Sequence, residues 1–340
     1  MLGDMGADVI KIEKPGTGDE TRGWGPPFDD RGESAYYLSV NRNKKSAAAD
    51  FDLPGDRQLV VDLIGSADVV VDNFRRGALE RRGIHPERLL EQHGRLVWCT
   101  ISGFGPESDR AGYDLVVQAE SGWMSITGDA KGEPTRVGVA LADIIAGKDA
   151  VIAILAALAS RERHATDRRI FISLAHSATA ALINVAQNSL VTGMDATRWG
   201  NEHPNLVPYQ PFRTADRTMI IAVGTDAQWV QCASALGLPE LANDPALETN
   251  AGRIAHRRKI VKEMSKRLIE RPANEWLALL TEKGVPCGLV NSVLESLSLV
   301  KASPLTGIAP SVPGEVRLPP PRLNEHGLEV RLRGWSAFHP

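Results

Sequence analysis

Short apolar runs alternate with longer segments of helical period through the first half of the chain. Runs of strand character fall at 9–12, 47–51, 67–71 and 95–101. A helix is predicted over 54–64, with Pro54 in the first turn, where its missing amide costs nothing. Between them, GTGDETRGWGPPFDDRGES reads as a loop rich in Gly, Pro and charge, and SAYYLSVNRNKKS as a short helix and turn. Further on, 136–142 reads as a strand and 144–158 as a helix; after the polar stretch SRERHATDRR, 170–173 reads as a strand and AHSATAALINVAQNSLV as a helix of small residues. This alternation predicts parallel βαβ units with helices on both faces of the sheet. Ligands of such sheets gather at the carboxyl ends of the strands, which directs attention to 14–18, 73–76 and 102–106.

The pattern then changes. TGMDATRWGNEHPNLVPYQPF, with Pro204, Pro208 and Pro211, reads as a linker between domains. PFRTAD and TMIIAVGT form a hairpin turned by Ala215, Asp216 and Arg217, followed by helices at 226–236, 253–269 and 273–283 and a return strand at 285–290. The proline-rich tail, SPLTGIAPSVPGEVRLPPPRLNEHG, reads as an extended segment packed on other structure. The expected organisation is a large Rossmann-like parallel-sheet domain over 1–190, a linker over 191–212, a smaller α+β domain over 213–297, and a segment at 298–340 returning to the large domain.

Composition changes this picture little. The 340 residues suit about two domains, and 43% hydrophobic with 24% charged residues is the balance of a soluble globular chain. The net charge of −3 and the scattered Lys and Arg give no nucleic-acid footprint, so no nucleic-acid partner is expected. The apolar run at 151–159 is too short to span a bilayer, and the first residues lack a secretory pattern. Cys99, Cys232 and Cys287 are odd in number and widely separated, as expected of reduced thiols in a cytoplasmic protein. The histidines are dispersed without metal-ligand spacing, so no metal is expected.

Candidate chemistry centres on Asp143, between the strand-like and helix-like runs at 136–158. An aspartate there suits an N-cap first, with a functional carboxylate at an element end as the sharper reading. NFRRG, at 73–77, reads either as a turn with solvated arginines or as a phosphate-binding turn. Walker A, HExxH and GxSxG motifs are absent, and no GxGxxG follows the first strand.

DMGADVIKIEKPGTGDETRGWGPP, NRNKKS, ADVVVDNFRRGALERRGI, GYDLVVQAESG and GVALADIIAG occur in that order. Together they resemble the class III CoA-transferases, the formyl-CoA transferase and carnitine-CoA transferase family, over Asp4 to about Asn291. GNEHPNLVPYQPFRTADRTMIIAVGTDAQW is most similar to the branch that moves CoA between succinyl-CoA and dicarboxylic acids. The resemblance implies a nucleophilic role for Asp143, whose carboxylate attacks the acyl-CoA thioester to form a mixed anhydride that CoA converts to an aspartyl-CoA thioester. It places Tyr113 and Asp114 as the Tyr-acidic pair of the active site. Related racemases carry histidine where Tyr113 stands; a phenol is too weak a base to replace it readily, which favours transfer.

The resemblance also implies CoA contacts at Lys14, Asn73, Phe74 and Arg81, help at the thioester end from Gln118 and Gly138, and an acceptor contact at His203 or Tyr209. The implied molecule is an interlocked homodimer with no tightly bound cofactor, using coenzyme A and acyl-CoA as substrates, with no membrane partner. Two departures accompany it. Relatives begin further upstream, with a first strand and a small-residue loop, and ESLSLVKASPL passes over a segment that relatives carry. Loss of a central strand would leave an exposed sheet edge. A racemase and an inactive CoA-binding paralogue are the alternative readings.

Overall fold

The computed structural model describes residues 1–161 and 168–339; most of the polar stretch predicted at 160–169 lies outside the described residues. The chain divides into two compact units. The first comprises Met1–Trp123, Val137–Asn184 and Leu297–Pro340; the second comprises Met124–Arg136 and Val185–Ser296.

The first unit begins with β1 (Ile10–Glu13), α1 (Ala35–Val40), β2 (Lys45–Ala48), α2 (Pro54–Gly65), β3 (Val69–Asp72), α3 (Pro86–Gln92) and β4 (Val97–Ser102). It continues with α4 (Asp114–Glu120), the one-turn α5 (Trp123–Ile126) at the border of the units, α6 (Leu141–Ser160), β5 (Arg169–Ser173) and α7 (Leu174–Ala180). All its long pairings are parallel: β1 with β2, and β4 between β3 and β5. The centre of β4 is buried on both faces. Trp98 packs with Val60, Ile64, Leu89 and Leu90 of α2 and α3, while Cys99 packs with Ala150 and Ile154 of α6. Adjacent strand residues point to opposite faces, so one short apolar run serves both helix layers.

The two parallel sheets are separate. β1 and β3 each keep one edge that no strand pairs among the described residues, and both edges line one cleft of about 2020 Å³. Val60, Leu63 and Ile64 of α2 and Ile154 and Leu158 of α6 line the same cleft.

Buried polar residues tie the start of the chain to its tail. Arg22 donates to both Glu13 oxygens, to Glu33, to the Tyr37 hydroxyl and to the Pro321 carbonyl. Asn43, at φ 59°, accepts the amides of Arg317 and Leu318 and donates to Asp4 and the Glu315 carbonyl.

The second unit holds α8 (Asn184–Thr192), β6 (Tyr209–Arg213), β7 (Thr218–Ala222), α9 (Asp226–Ala235), α10 (Pro239–Ala242), α11 (Asn250–Ala255), α12 (Arg257–Leu268), α13 (Ala273–Glu282), β8 (Cys287–Leu289) and α14 (Val293–Leu297), whose last residue falls in the first unit. β6, β7 and β8 form an antiparallel sheet over a core around Trp229, Met264 and Trp276. A capping box at Thr225 and Gln228 starts α9. The tail adds β9 (Ala302–Ser303), β10 (Gly307–Ile308) and α15 (Gly327–Arg333) to the first unit.

Three local expectations need correction. No strand forms over 136–142; that stretch runs irregularly into α6, because its backbone groups are taken by a side chain of α4 instead of a neighbouring strand. The helix predicted over 175–191 divides into α7 and α8 around Ile183, at φ 45°. The helix predicted over 253–269 divides at His256. Beyond the predicted extended segment the tail forms a helix, its Val330 buried against Ala47 and Leu63.

Candidate active site

Asp143 is the third residue of α6, whose N-cap is Ala140 and which has no cap from its own flanking side chain. The capping alternative for Asp143 is therefore excluded by geometry. Asp114, the first residue of α4, supplies the cap instead: its Oδ1 accepts the Ala142 amide at 2.8 Å. No hydrogen bond or ion pair reaches the Asp143 carboxylate from the described residues, and Asp143 lines the cleft. Asp143 keeps an exposed face, but the protein around it removes part of its hydration and the negative charge of Asp114 adds to that effect, so its pKa is raised above the ordinary aspartate value. One turn on, Gly147 also lines the cleft, and its missing side chain leaves open space beside the carboxylate.

Tyr113 lines the same cleft, 61% exposed. It is delivered by a loop that leaves β4 at Gly103 and returns at Gly112. The two glycines meet backbone to backbone: a Cβ on Gly103 would lie 2.5 Å from the Gly112 Cα. The Gly103 carbonyl accepts the Ala175 amide at 2.9 Å, which fixes the loop to α7.

The CoA-contact candidates divide by position. Lys14, Asn73 and Phe74 line the cleft, with Phe74 43% exposed and its ring 5.9 Å from that of Phe51. Arg81 lies outside the lining, exposed, beside Gly77 in the same loop; Arg75 and Arg76 reach the cleft instead. Gly138 is exposed but also off the cleft. Gln118 is fully buried, its amide spent on Asp114, Val137 and Val139, so it has no free group for a ligand. His203 and Tyr209 sit together in the second unit, rings 5.1 Å apart, with the His203 amide donating to the Tyr209 carbonyl.

Three further residues went unassigned in the sequence. Trp24, in the quoted TRGW, lines the cleft and meets Tyr36 edge to face at 5.0 Å. Tyr36 has its phenol pKa raised by burial and then by the charges of Asp143 and Asp114, which marks it as a neighbour of the carboxylate pair. Lys44 lines the cleft and donates to the Val40 carbonyl and to Asn41. Burial, with Lys11 nearby, lowers its pKa to about 8. Only a motif role, not periodicity, could have selected these three.

An unpaired aspartate in the first turn of a helix, on a long cleft with cations along it, is chemically equipped to attack an acyl carbonyl. The fold and site define an α/β CoA-transferase. The chain belongs to CoA-transferase family III, whose model matches residues 1–305. It is 42% identical to the succinyl-CoA:glutarate CoA-transferase of Mus musculus over 302 residues, covering 87% of this chain and 69% of that one. It is 41% identical to the succinate–glutarate CoA-transferase of Agrobacterium fabrum over 303 residues, covering 87% and 76%. The crystal structure of a CAIB/BAIF family protein from Brucella suis superposes with a TM-score of 0.85 at 37% identity, covering 97% and 93%. The enzyme moves CoA between an acyl-CoA and a carboxylic acid.

Proposed function

We propose that the protein transfers CoA from a short acyl-CoA, succinyl-CoA first among donors, to a carboxylic acid, with a dicarboxylate such as glutarate as the leading acceptor. The observation that carries this reading is the unpaired carboxylate of Asp143 on the cleft wall. In the first half-reaction Asp143 attacks the thioester carbonyl, the carbon–sulfur bond breaks, and CoA leaves as thiolate. The thiolate attacks the aspartyl carbonyl of the anhydride and expels the donor acid, leaving an aspartyl-CoA thioester. The acceptor carboxylate then attacks that thioester to form a second anhydride and free the thiolate, which attacks the acceptor acyl carbon and restores Asp143. Each step exchanges one activated acyl bond for another of similar reactivity, so no outside energy source is required.

Tyr113 borders the reacting carboxylate, and Lys14, Asn73 and Phe74 hold the nucleotide and pantetheine portion. Gly138 and Arg81 act at the margins of that site. CoA enters and leaves as substrate, without a resident cofactor. The active form is a homodimer; apolar side chains exposed at Leu190, Val191, Val293 and Leu294 support a covered surface. The three unpaired cysteines support a reducing, cytoplasmic setting, and no helix among the described residues is long and apolar enough to cross a membrane.

A mass-spectrometric screen of acyl-CoA donors against mono- and dicarboxylic acids tests the reading. New acyl-CoA formed from an acceptor acid is the expected result; none from any pairing would overturn it. Solvent deuterium entering the acyl-CoA without an acceptor would support racemisation instead. Light scattering of the purified chain tests the dimer.

A further inference from the structure

The approach to Asp143 is held by side chains, not by secondary structure. Residues 137–140 form no strand, although they lead directly into the helix that carries the nucleophile. Two residues of α4, four positions apart and hence on one helix face, take up this stretch. Gln118 Oε1 accepts the Val137 amide at 2.9 Å, and its Nε2 donates to the Val139 carbonyl at 3.3 Å and to Asp114 Oδ2 at 2.6 Å. Asp114 Oδ1 then accepts the Ala142 amide at 2.8 Å, immediately before Asp143. Gln118 is fully buried, so its amide cannot exchange these partners for water.

The geometry points to Gln118 and Asp114 as positioning residues for CoA transfer: a side-chain clamp that fixes residues 137–142 and caps the nucleophile's helix, so that Asp143 faces the substrate with its own carboxylate unspent. This inference rests on Asp143 being the nucleophile. The division of labour follows from what a helix end needs. Its first amides lack partners within the helix, and a nearby carboxylate is drawn to them. Leu141 donates to the Val139 carbonyl, and Ala142 is taken by Asp114. With the Ala142 amide taken from a second helix, the Asp143 carboxylate is not drawn onto it. Gln118 in turn fixes Asp114, because its Nε2 holds the Oδ2 that the cap leaves over.

The bond between the two side chains can be reversed in polarity without changing shape. Gln118→Glu places an acceptor against an acceptor at Asp114 and should open the clamp. Asp114→Asn combined with Gln118→Glu restores a donor, now on the residue at 114, while keeping an acceptor for Ala142 and one for Val137. The experiment measures kcat and KM for succinyl-CoA with glutarate as acceptor in wild type, in Gln118→Glu and in the double variant, with thermal unfolding of each. Gln118→Glu should lower kcat by about 10²-fold, the scale of an ångström's misplacement, with KM for acyl-CoA little changed. The double variant should recover most of that loss. Wild-type kcat in Gln118→Glu would overturn the inference. So would a double variant that unfolds at the wild-type temperature yet stays as slow as Gln118→Glu. If Gln118→Glu does not fold, the folded double variant decides alone: near wild-type kcat supports the clamp and a 10²-fold deficit contradicts it. Inactive wild type would instead remove the underlying transferase reading.

Discussion

Asp114 and Asp143 stand at the amino end of the same helix, but only Asp114 bonds to it, through the amide of Ala142 at 2.8 Å. One carboxylate is spent on structure, and the other is left free for the proposed chemistry. Replacing Asp143 by Asn should lower kcat by roughly 10⁴-fold or more, the scale of removing a covalent nucleophile. The same change should raise the unfolding temperature near neutral pH, since it removes a partly desolvated charge that Asp114 repels. Loss of activity together with lower stability would mean that Asp143 is structural.

The pH profile follows from the same pair. As the proposed nucleophile, Asp143 has to be ionised to attack, and its pKa is raised, first by partial desolvation and then by Asp114. The acid limb of kcat/KM should therefore lie above the ordinary aspartate value of 3.8. Asp114→Asn removes one cause and should move that limb to lower pH. For stability the sign is opposite to that of a paired carboxylate: the folded state bears a cost above the raised pKa, and the cost is relieved as pH falls through it.

Arg22 holds Glu13 and Glu33 in a buried cluster that also reaches the tail at Pro321. Burial works against the Glu13 carboxylate, but Arg22, Ser46 and the Asp19 amide outweigh it and hold its pKa below the ordinary glutamate value of 4.5. That contribution to stability is present above 4.5 and is lost as pH falls through the lowered pKa. Arg22→Leu leaves two buried carboxylates unpaired and should cost about 3–5 kcal/mol, read as a lower urea midpoint. An unchanged midpoint would show that the cluster contributes nothing net.

Gly103 and Gly112 touch through their backbones, and this contact sets the loop that presents Tyr113. Gly103→Ala should lower kcat/KM strongly, because its Cβ would sit 2.5 Å from the Gly112 Cα. Gly94→Ala, where a Cβ meets nothing within 4 Å, serves as the control and should leave kinetics unchanged. Equal behaviour of the two variants would contradict the assigned role of the loop.

Phe74 presents its ring to the cleft against Phe51. Phe74→Ala should raise KM for acyl-CoA by about threefold to tenfold, the worth of one aromatic contact, with a smaller effect on kcat. A change in kcat alone would assign Phe74 to the chemistry instead.

Much of this fold was legible in the sequence for physical reasons. Val97–Ser102 is a short apolar run because helices cover both faces of its centre, and the Ala142, Ala146, Ala150 and Ile154 stripe of α6 repeats at the helical period. The stretch at 136–142 misled because its apolar residues are held by Gln118, a long-range side-chain contact that no local pattern records. Gln118 was expected at the thioester end on motif grounds; its complete burial places it behind the site instead. Asp143 was visible as a carboxylate at an element end, but its freedom from capping depended on Asp114, a partner 29 residues away in sequence. Trp24, Tyr36 and Lys44 lie in or beside a glycine- and proline-rich loop, where periodicity carries no information about direction.

The central claim is that Asp143 carries the acyl group and then CoA. Incubation with succinyl-CoA and hydroxylamine, followed by peptide mass spectrometry, tests it most directly. An aspartyl hydroxamate confined to the peptide containing Asp143 and absent from Asp143→Ala is the expected result. Continued turnover with no label at Asp143, or full activity in Asp143→Ala, would contradict it.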